Sequence, residues 1–300
     1  MTEVKASKEV SMVVVEDTQR LIVKRVVKLK DYTSIKIGGR VSRFFIVNTE
    51  QDLSKLVKET GGLFYLLGKG SNILASDERL SKPVIKLGEE FDYIKRDFSL
   101  VEVGAATSFL KLVKYAVENE LEGVENLVGI PASVGGMVCM NASSFGREIS
   151  SVVERVRCMD KEGSISIVEK DEMKFAYRKS SFANRIILSV WFKFENGFNL
   201  KEKAKNFLKE RRIRGDYDYP SCGCVFKNLP GGVFSGALIE GCGLKGVRKN
   251  NAAVSERHAN FIVNLGGAGF KDVECLIKMI KEKVHEKYNV VLEEEIHRWT

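Results

Sequence analysis

The stretch Gly129-Ile-Pro-Ala-Ser-Val-Gly-Gly-Met-Val-Cys-Met-Asn-Ala-Ser-Ser-Phe-Gly146 decides how the chain reads. Charged residues make up 29% of the sequence, yet none falls between Glu125 and Arg147. A membrane span would need about 20 mostly apolar residues. Pro131, the Gly135-Gly136 pair, Asn141 and three serines speak against one. Glycine permits dihedrals and close backbone approaches that other residues avoid. Two readings therefore stand side by side. One is a buried loop pressed against a flat, largely uncharged ligand; the other is a tightly packed turn between two core elements.

The whole chain has 300 residues, the length of about two domains. A chain of that size buries about 75% of its unfolded surface, ample for a real core. Lys and Arg outnumber Asp and Glu by 48 to 40, a net charge of +8. Such a surplus attracts polyanions. The positive residues are dispersed, with no basic tail or aromatic-interleaved patch, which favours a small acidic substrate over nucleic acid. The cysteines at 139, 158, 222, 224, 242 and 275 show no paired metal spacing, and no secretory pattern opens the chain. They read as free thiols in a reducing cytoplasm. Glutamine occurs only at Gln19 and Gln51, while Lys and Glu abound, a bias that points to a hot habitat.

Outward from the opening stretch, short strands dominate. Residues 1–30 hold two β-branched runs, 13–15 and 21–23, read as two strands or as a strand and a helix. Strands are expected at 41–48, 63–67, 83–87, 91–94 and 99–103, with a helix over 50–58. Thr107 suits an N-cap, and its helix carries Leu110, Val113, Ala116 and Val117 on one face. Beyond the stretch come strands at 152–159, 164–168 and 186–194, then a charged helix over 200–212 that reads as a connector. A glycine-rich segment over 223–246 comes next, then a strand at 260–265 and a helix from Asp272 burying Val273, Leu276, Ile277, Ile280 and Val284. Residues 290–296 read as a closing strand. The class is α+β, without internal repeat or low-complexity tract.

Four places could carry chemistry. In Leu66-Leu-Gly-Lys-Gly-Ser-Asn-Ile-Leu74 a strand breaks into Gly-x-Gly-Ser-Asn. Consecutive N–H groups in such a turn can cradle phosphate oxygens. Ile73 stands where a dinucleotide fingerprint needs glycine, and no Walker ending is present, so a plain tight turn remains open. Arg178, after Tyr177, is either a two-pronged carboxylate clamp or a surface arginine packed on its neighbour. Of Cys222 and Cys224, neither finds a partner set for a metal; Cys224 is a candidate proton donor and Cys222 a small buried side chain. In Glu293-Glu294-Glu295 a strand would place Glu293 and Glu295 on one face, opposite Glu294. The histidines at 258, 285 and 297 lack metal-ligand spacing, so no metal site is expected, and His285 reads as a surface residue.

Together these motifs resemble the UDP-N-acetylenolpyruvoylglucosamine reductases, flavoenzymes of bacterial cell-wall precursor synthesis. The resemblance covers residues 28–298 in order. It runs through Thr33-Ser-Ile-Lys-Ile-Gly-Gly39, Leu67-Gly-Lys-Gly-Ser-Asn72, Gly129-Ile-Pro-Ala-Ser-Val-Gly-Gly136, Met140-Asn-Ala142 and Tyr177-Arg178. It continues through Pro220-Ser-Cys-Gly-Cys-Val-Phe-Lys-Asn228, Ala237-Leu-Ile-Glu240, His258-Ala-Asn-Phe-Ile-Val-Asn264 and Leu292-Glu-Glu-Glu295. The short connection from Tyr177 to Pro220 is similar to the shorter type, which lacks an extra substrate loop.

The resemblance implies a two-part FAD-binding module of the vanillyl-oxidase type over 28–195, after an N-terminal extension at 1–27. A connecting helix at 196–214 and a smaller α+β substrate-binding domain at 215–300 would come after it. Gly68, Lys69, Gly70, Ser71 and Asn72 would hold the FAD pyrophosphate, non-covalently. Gly129, Ile130, Pro131, Ser133, Val134, Gly136, Asn141, Ser143 and Arg178 would line the rest of the cofactor. NADPH would deliver hydride to FAD, which passes it to C3 of the enolpyruvyl group. Arg178 and a protonated Glu295 would steady charge on the substrate carboxylate, and Cys224 would protonate C2. Tyr177, Lys227 and Asn228 are assigned to the UDP-sugar. Three departures from the family pattern stand out besides Cys224, which replaces serine: Lys69 and Ala132 replace glycines, and Glu294 replaces proline. The implied protein is a cytoplasmic monomer with no membrane span and no nucleic-acid partner, serving cell shape and division.

Two rival readings are a related oxidase and a basic nucleic-acid-binding module. Many such oxidases tether FAD through a histidine, and this chain has none before His258.

Overall fold

The computed structural model describes residues 21–24 and 27–300. The run expected at 13–15 lies outside the described residues; the run at 21–23 is a strand, Leu21–Lys24.

Three sheets carry the architecture. The first orders Leu21–Lys24, Phe44–Val47, Val84–Leu87 and Tyr65–Leu66, antiparallel at the first pairing and parallel thereafter. Helix α1, Glu50–Glu59, packs beside it; Thr49 caps it by accepting from the Asp52 N–H at 3.2 Å. Its buried face, Leu53, Leu56 and Val57, has the spacing expected of an amphipathic helix. Glu50 leaves the same helix to form an ion pair with Arg157 of the second sheet, whose Nη2 lies 2.6 Å away.

The second sheet is antiparallel, in the order Ile165–Glu169, Val153–Met159, Ile186–Lys193, Leu100–Gly104, Ile94–Asp97. Its central strand Ile186–Lys193 is apolar on both faces because both are covered. Helix α2, Phe109–Glu118, and helix α3, Val134–Cys139, close the largest core with Phe109, Leu112, Val134, Met137 and Phe192. The third sheet, Ser221–Cys224, Phe261–Asn264, Ala252–Val254 and Arg248–Lys249, is antiparallel. Helix α4, Leu200–Arg214, leads into it; helix α5, Ser235–Gly241, and helix α6, Phe270–Tyr288, cover it.

Five expectations about elements are corrected. The opening stretch is not a loop throughout, because Ser133 caps α3 through the Gly136 N–H at 3.3 Å. Residues 91–94 are not a strand: a 3-10 turn, Glu89–Phe91, ends at Phe91 and the strand begins at Ile94. The cap of α2 is Ser108, since the Thr107 hydroxyl donates to the Tyr93 carbonyl instead. Leu110 is 58% exposed; the buried face is Phe109, Leu112, Val113 and Ala116. Residues 290–296 form no strand beyond a single bridge at Glu294, and pairing begins only at His297–Trp299.

The sheet cores draw on residues distant in the chain. Ile35 and Ile37 sit in the core of the third sheet, while Trp299 sits in a small core with Leu29, Phe44 and Val84 under the first.

Candidate active site

The turn between Tyr65–Leu66 and Ile73–Ala75 is a cradle of donors. Among the described residues, no protein group accepts from the N–H of Gly68, Lys69, Gly70, Ser71 or Asn72. The turn requires Gly70, which has φ +68° and whose missing Cβ would run into the Tyr32 carbonyl. Ser34 fixes it from outside, its N–H donating to the Gly70 carbonyl at 3.0 Å and its hydroxyl to the Ser221 carbonyl at 2.6 Å. Lys86 fixes it from beneath, its Nζ donating to the Gly68 carbonyl at 2.9 Å. Burial, and then the charge of Lys69, lower the Lys86 pKa. No carboxylate among the described residues pairs with either lysine. Free N–H groups beside two unpaired cations suit a pyrophosphate.

The opening stretch meets this turn directly. A Cβ on Gly68 would stand 2.7 Å from Ser133 Oγ, so the two segments form facing walls. Its small residues have separate reasons. Gly129, with φ +83°, makes room for Leu208 and Arg211 of α4. Gly135 lies against Ala105, whereas a Cβ on Gly136 would meet only Ser133 Oγ. Helix N-termini commonly attract anions, but the first N–H groups of α3 are taken. Val134 donates to Thr107 O, Gly135 to Ala105 O and Gly136 to Ser133 Oγ. The free N–H groups thus lie at the 68–72 turn, and the wall at 133–136 offers an anion none of its first N–H groups. Nearby, Asn126 keeps a buried side-chain oxygen without a partner. These features fit FAD, a pyrophosphate joined to a flat ring system.

Other expected residues play different parts. Val134 is wholly buried and Pro131 is exposed. Asn141 is wholly buried, and its Nδ2 donates to Glu148 at 2.8 Å and to the Ala176 carbonyl at 3.1 Å. Its Oδ1 accepts from the Ser150 N–H. Asn141 therefore braces the hairpin Phe175–Ala176/Lys179–Ser180, at whose tip sit Tyr177 and Arg178.

Arg178 has φ +56°, a left-handed conformation costing a non-glycine residue about 1–2 kcal/mol. The strain aims the guanidinium inward. Its Nη1 donates to Ser143 Oγ at 2.7 Å, and its Nε lies 2.9 Å from Glu295 Oε1. The Nε–H points off that line, so the contact joins charges without forming an aligned hydrogen bond. Burial raises the Glu295 pKa above the carboxylate norm against the opposing charges of Arg178 and Lys227.

Cys224 ends the strand Ser221–Cys224, and the Glu295 N–H donates to the next carbonyl, Val225, at 2.7 Å. Burial first, then the charge of Glu295, push the thiol up to about 12, with Arg178 and Arg211 pulling the other way. Cys224 is therefore a thiol, not a thiolate, at neutral pH. Asn260, buried, holds this segment through Phe226, donating to its carbonyl at 2.8 Å and accepting from its N–H at 2.9 Å.

Around this centre, Tyr177 OH accepts from the Asn228 N–H at 3.2 Å. Lys227 is ion-paired with Glu293, whose side chain is 67% exposed against 13% for Lys227. Glu294 receives Lys281 at 2.5 Å and Arg298 at 2.7 Å. Glu293 and Glu295 thus both lie toward Lys227, on the side away from Glu294 with its Lys281 and Arg298, as the strand-like alternation predicts. All six cysteines are free, and the described residues hold no cluster of three or more His, Cys, Asp or Glu able to bind a metal. No helix among them is long and apolar enough to cross a membrane.

Two residues escaped the sequence reading. Lys86 lies in a short strand where a lysine normally reaches solvent. Arg211 lies in α4, read as a mere connector, yet its Nε donates to the Val128 carbonyl at 2.8 Å and its Nη2 to Ser144 Oγ at 2.6 Å. Its position one turn after Phe207 and Leu208, which pack on the core, was the available signal.

Comparison with known proteins agrees with this geometry. Residues 215–299 match the profile of the UDP-N-acetylenolpyruvoylglucosamine reductase C-terminal domain, and 41–169 that of an FAD binding domain. The reductase of Fervidobacterium nodosum is 40% identical over 283 residues, covering 91% of this chain and 90% of that protein. That of Fusobacterium nucleatum is 36% identical over 276 residues, covering 90% and 96%. The crystal structure of UDP-N-acetylenolpyruvylglucosamine reductase from Thermus caldophilus superposes with a TM-score of 0.82 at 35% identity, over 93% of this chain and 100% of that one. With relatives this similar over nearly their full length, and with both parts of the fold matched, the chain belongs to the UDP-N-acetylenolpyruvoylglucosamine reductase family.

Proposed function

We propose that FAD lies between the 68–72 turn and the 133–136 wall, and that Arg178, Cys224 and Glu295 act on a substrate brought against it. The chain is an FAD-dependent oxidoreductase that uses NADPH to convert UDP-N-acetylglucosamine enolpyruvate to UDP-N-acetylmuramate in peptidoglycan precursor synthesis. FAD, when bound, supplies hydride from NADPH to C3 of the enolpyruvyl group.

The observation that carries the site assignment is the meeting of Arg178, Glu295 and the Cys224 segment from three separate elements in one half-buried place. As hydride reaches C3, negative charge grows on the substrate carboxylate. Arg178, preset by its hairpin, and a protonated Glu295 would stabilise that charge, as preorganised donors do in a water-poor site. Cys224 would then give its proton to C2, a task for which a raised pKa keeps the proton in place. Lys227 and Asn228, with Tyr177, would receive the UDP-sugar, whose phosphates displace the exposed Glu293 from Lys227. Lys69 and Lys86 would neutralise the pyrophosphate of the cofactor, with Gly68, Gly70, Ser71 and Asn72 as N–H donors. Gly129, Ile130, Pro131, Ser133, Val134, Gly136 and Ser143 would shape the opposite wall, and Asn141 would support Arg178 from behind.

We take residues 28–195 as the FAD module, 196–214 as the connection and 215–300 as the substrate domain, in a cytoplasmic monomer without a nucleic-acid partner. Anaerobic titration tests the reading. NADPH should bleach flavin absorbance near about 450 nm, and the enolpyruvyl nucleotide should restore it. A bleached protein that the nucleotide cannot reoxidise would sink the substrate assignment.

A further inference from the structure

We infer that the strand His297–Trp299 is the positioning element of Glu295, anchored away from the chemistry by the stacking of Trp299 on Tyr65. This rests on the reading of Glu295 as the acid that steadies the substrate carboxylate. Glu295 stands in an irregular segment, so neither helix nor sheet sets its direction. Its main chain is instead held at two points. Its N–H donates to the Val225 carbonyl at 2.7 Å, and its carbonyl accepts from Asn72 Nδ2 at 3.0 Å.

The second point depends on the last residues of the chain. The His297 N–H donates to the Asn72 carbonyl at 2.9 Å, and His297–Trp299 then runs parallel to Ile73–Ala75. Trp299 is 6% exposed and stacks on Tyr65 with ring centroids 4.5 Å apart and planes 14° from parallel. Its carbonyl accepts from the Ser76 N–H at 2.8 Å, and the Thr300 carbonyl accepts from Tyr65 OH at 2.9 Å. Arg298 grips α6 on the other side, through Glu274 at 2.8 Å.

The carboxylate is thereby fixed relative to the same turn that offers its N–H groups to the cofactor. One short strand registers the acid against the cofactor turn. Loosening it would release the Glu295 carbonyl from Asn72, while the rest of the turn keeps its bonds from Ser34 to Gly70 and from Lys86 to Gly68. A displacement of about 1 Å in a catalytic group can cost about 10²-fold in rate.

Trp299→Ala holoenzyme should therefore reoxidise with the enolpyruvyl nucleotide about tenfold or more slowly. Its flavin reduction by NADPH and its dissociation constant for FAD should stay near wild type. Trp299→Phe, which keeps a stacking ring, should restore reoxidation. Should Trp299→Ala fail to fold, Tyr65→Leu removes the same stack from the other partner. Wild-type reoxidation in the stack-disrupting variants, beside a slow Glu295→Ala, would overturn the inference while leaving the role of Glu295 standing. A parallel fall of both half-reactions and of FAD affinity would also overturn it, because the strand would then serve only the cofactor turn. Wild-type reoxidation in Glu295→Ala, which removes the donor, would remove the role of Glu295 itself, and the inference with it.

Discussion

Replacing Lys86 by methionine keeps the length and apolar body of the side chain and deletes one ammonium. In the free protein that ammonium donates at 2.9 Å to the Gly68 carbonyl, with its pKa lowered by burial and by Lys69. The cation is thus poorly compensated before an anion arrives. A hydrogen bond involving a charged group contributes about 1.5–3 kcal/mol, which at 1.4 kcal/mol per tenfold corresponds to a rise of about 10- to 100-fold in the FAD dissociation constant. The free protein should lose little stability, because a strained charge leaves with the bond. The lowered pKa sets the sign of the pH effect. FAD binding is strongest while Lys86 is protonated and weakens as pH rises through that lowered value; Lys86→Met loses this slope and Lys86→Arg keeps tight binding. Titration of apoprotein by flavin fluorescence, at fixed ionic strength, measures all three. A dissociation constant for Lys86→Met within about twofold of wild type would refute the reasoning, as would an unchanged alkaline slope.

Cys224→Ala should lower turnover by about 10²–10³ with FAD still bound, whereas Cys224→Ser should retain activity; stopped-flow reoxidation distinguishes them. The Glu295 pKa is raised, so the carboxyl keeps its proton to higher pH than a free glutamate near about 4.3. Reoxidation should fall as pH climbs through that raised value, and Glu295→Gln should flatten the profile. Gly70→Ala puts a Cβ into the Tyr32 carbonyl at φ +68°, and the purified protein should be colourless even where circular dichroism reports a folded chain.

Much of the fold was legible in the residues alone. Val273, Leu276, Ile277, Ile280 and Val284 mark one face of α6, and all five are buried. The Gly-x-Gly-Ser-Asn turn announced itself by composition, because only glycine tolerates what Gly70 must do. What escaped reading depended on contacts far apart in sequence. Lys86 looks like any strand lysine until the Gly68 carbonyl is placed beside it. The 290–296 run keeps the alternation read from it, Glu293 and Glu295 toward Lys227 and Glu294 toward Lys281 and Arg298, yet among the described residues it pairs only at the Phe226–Glu294 bridge. Thr107 and Ser108 are equally good caps by type; the Tyr93 carbonyl, invisible in the sequence, claims the first. Gly129 and Gly135 suggested a ligand, yet α4 and Ala105 account for them.

The bond from Asn72 to Glu295 closes a separation of 223 residues, and that from Tyr65 to Thr300 one of 235. Each doubling of such a loop adds about 0.6 kcal/mol of closure entropy, so contacts of this range are expected to form after more local ones. The meeting of Gly68 with Ser133 needs a far shorter loop. During folding, the proposed cofactor cradle is therefore expected to take shape before the Glu295 carboxylate is placed, so flavin capture should precede competence.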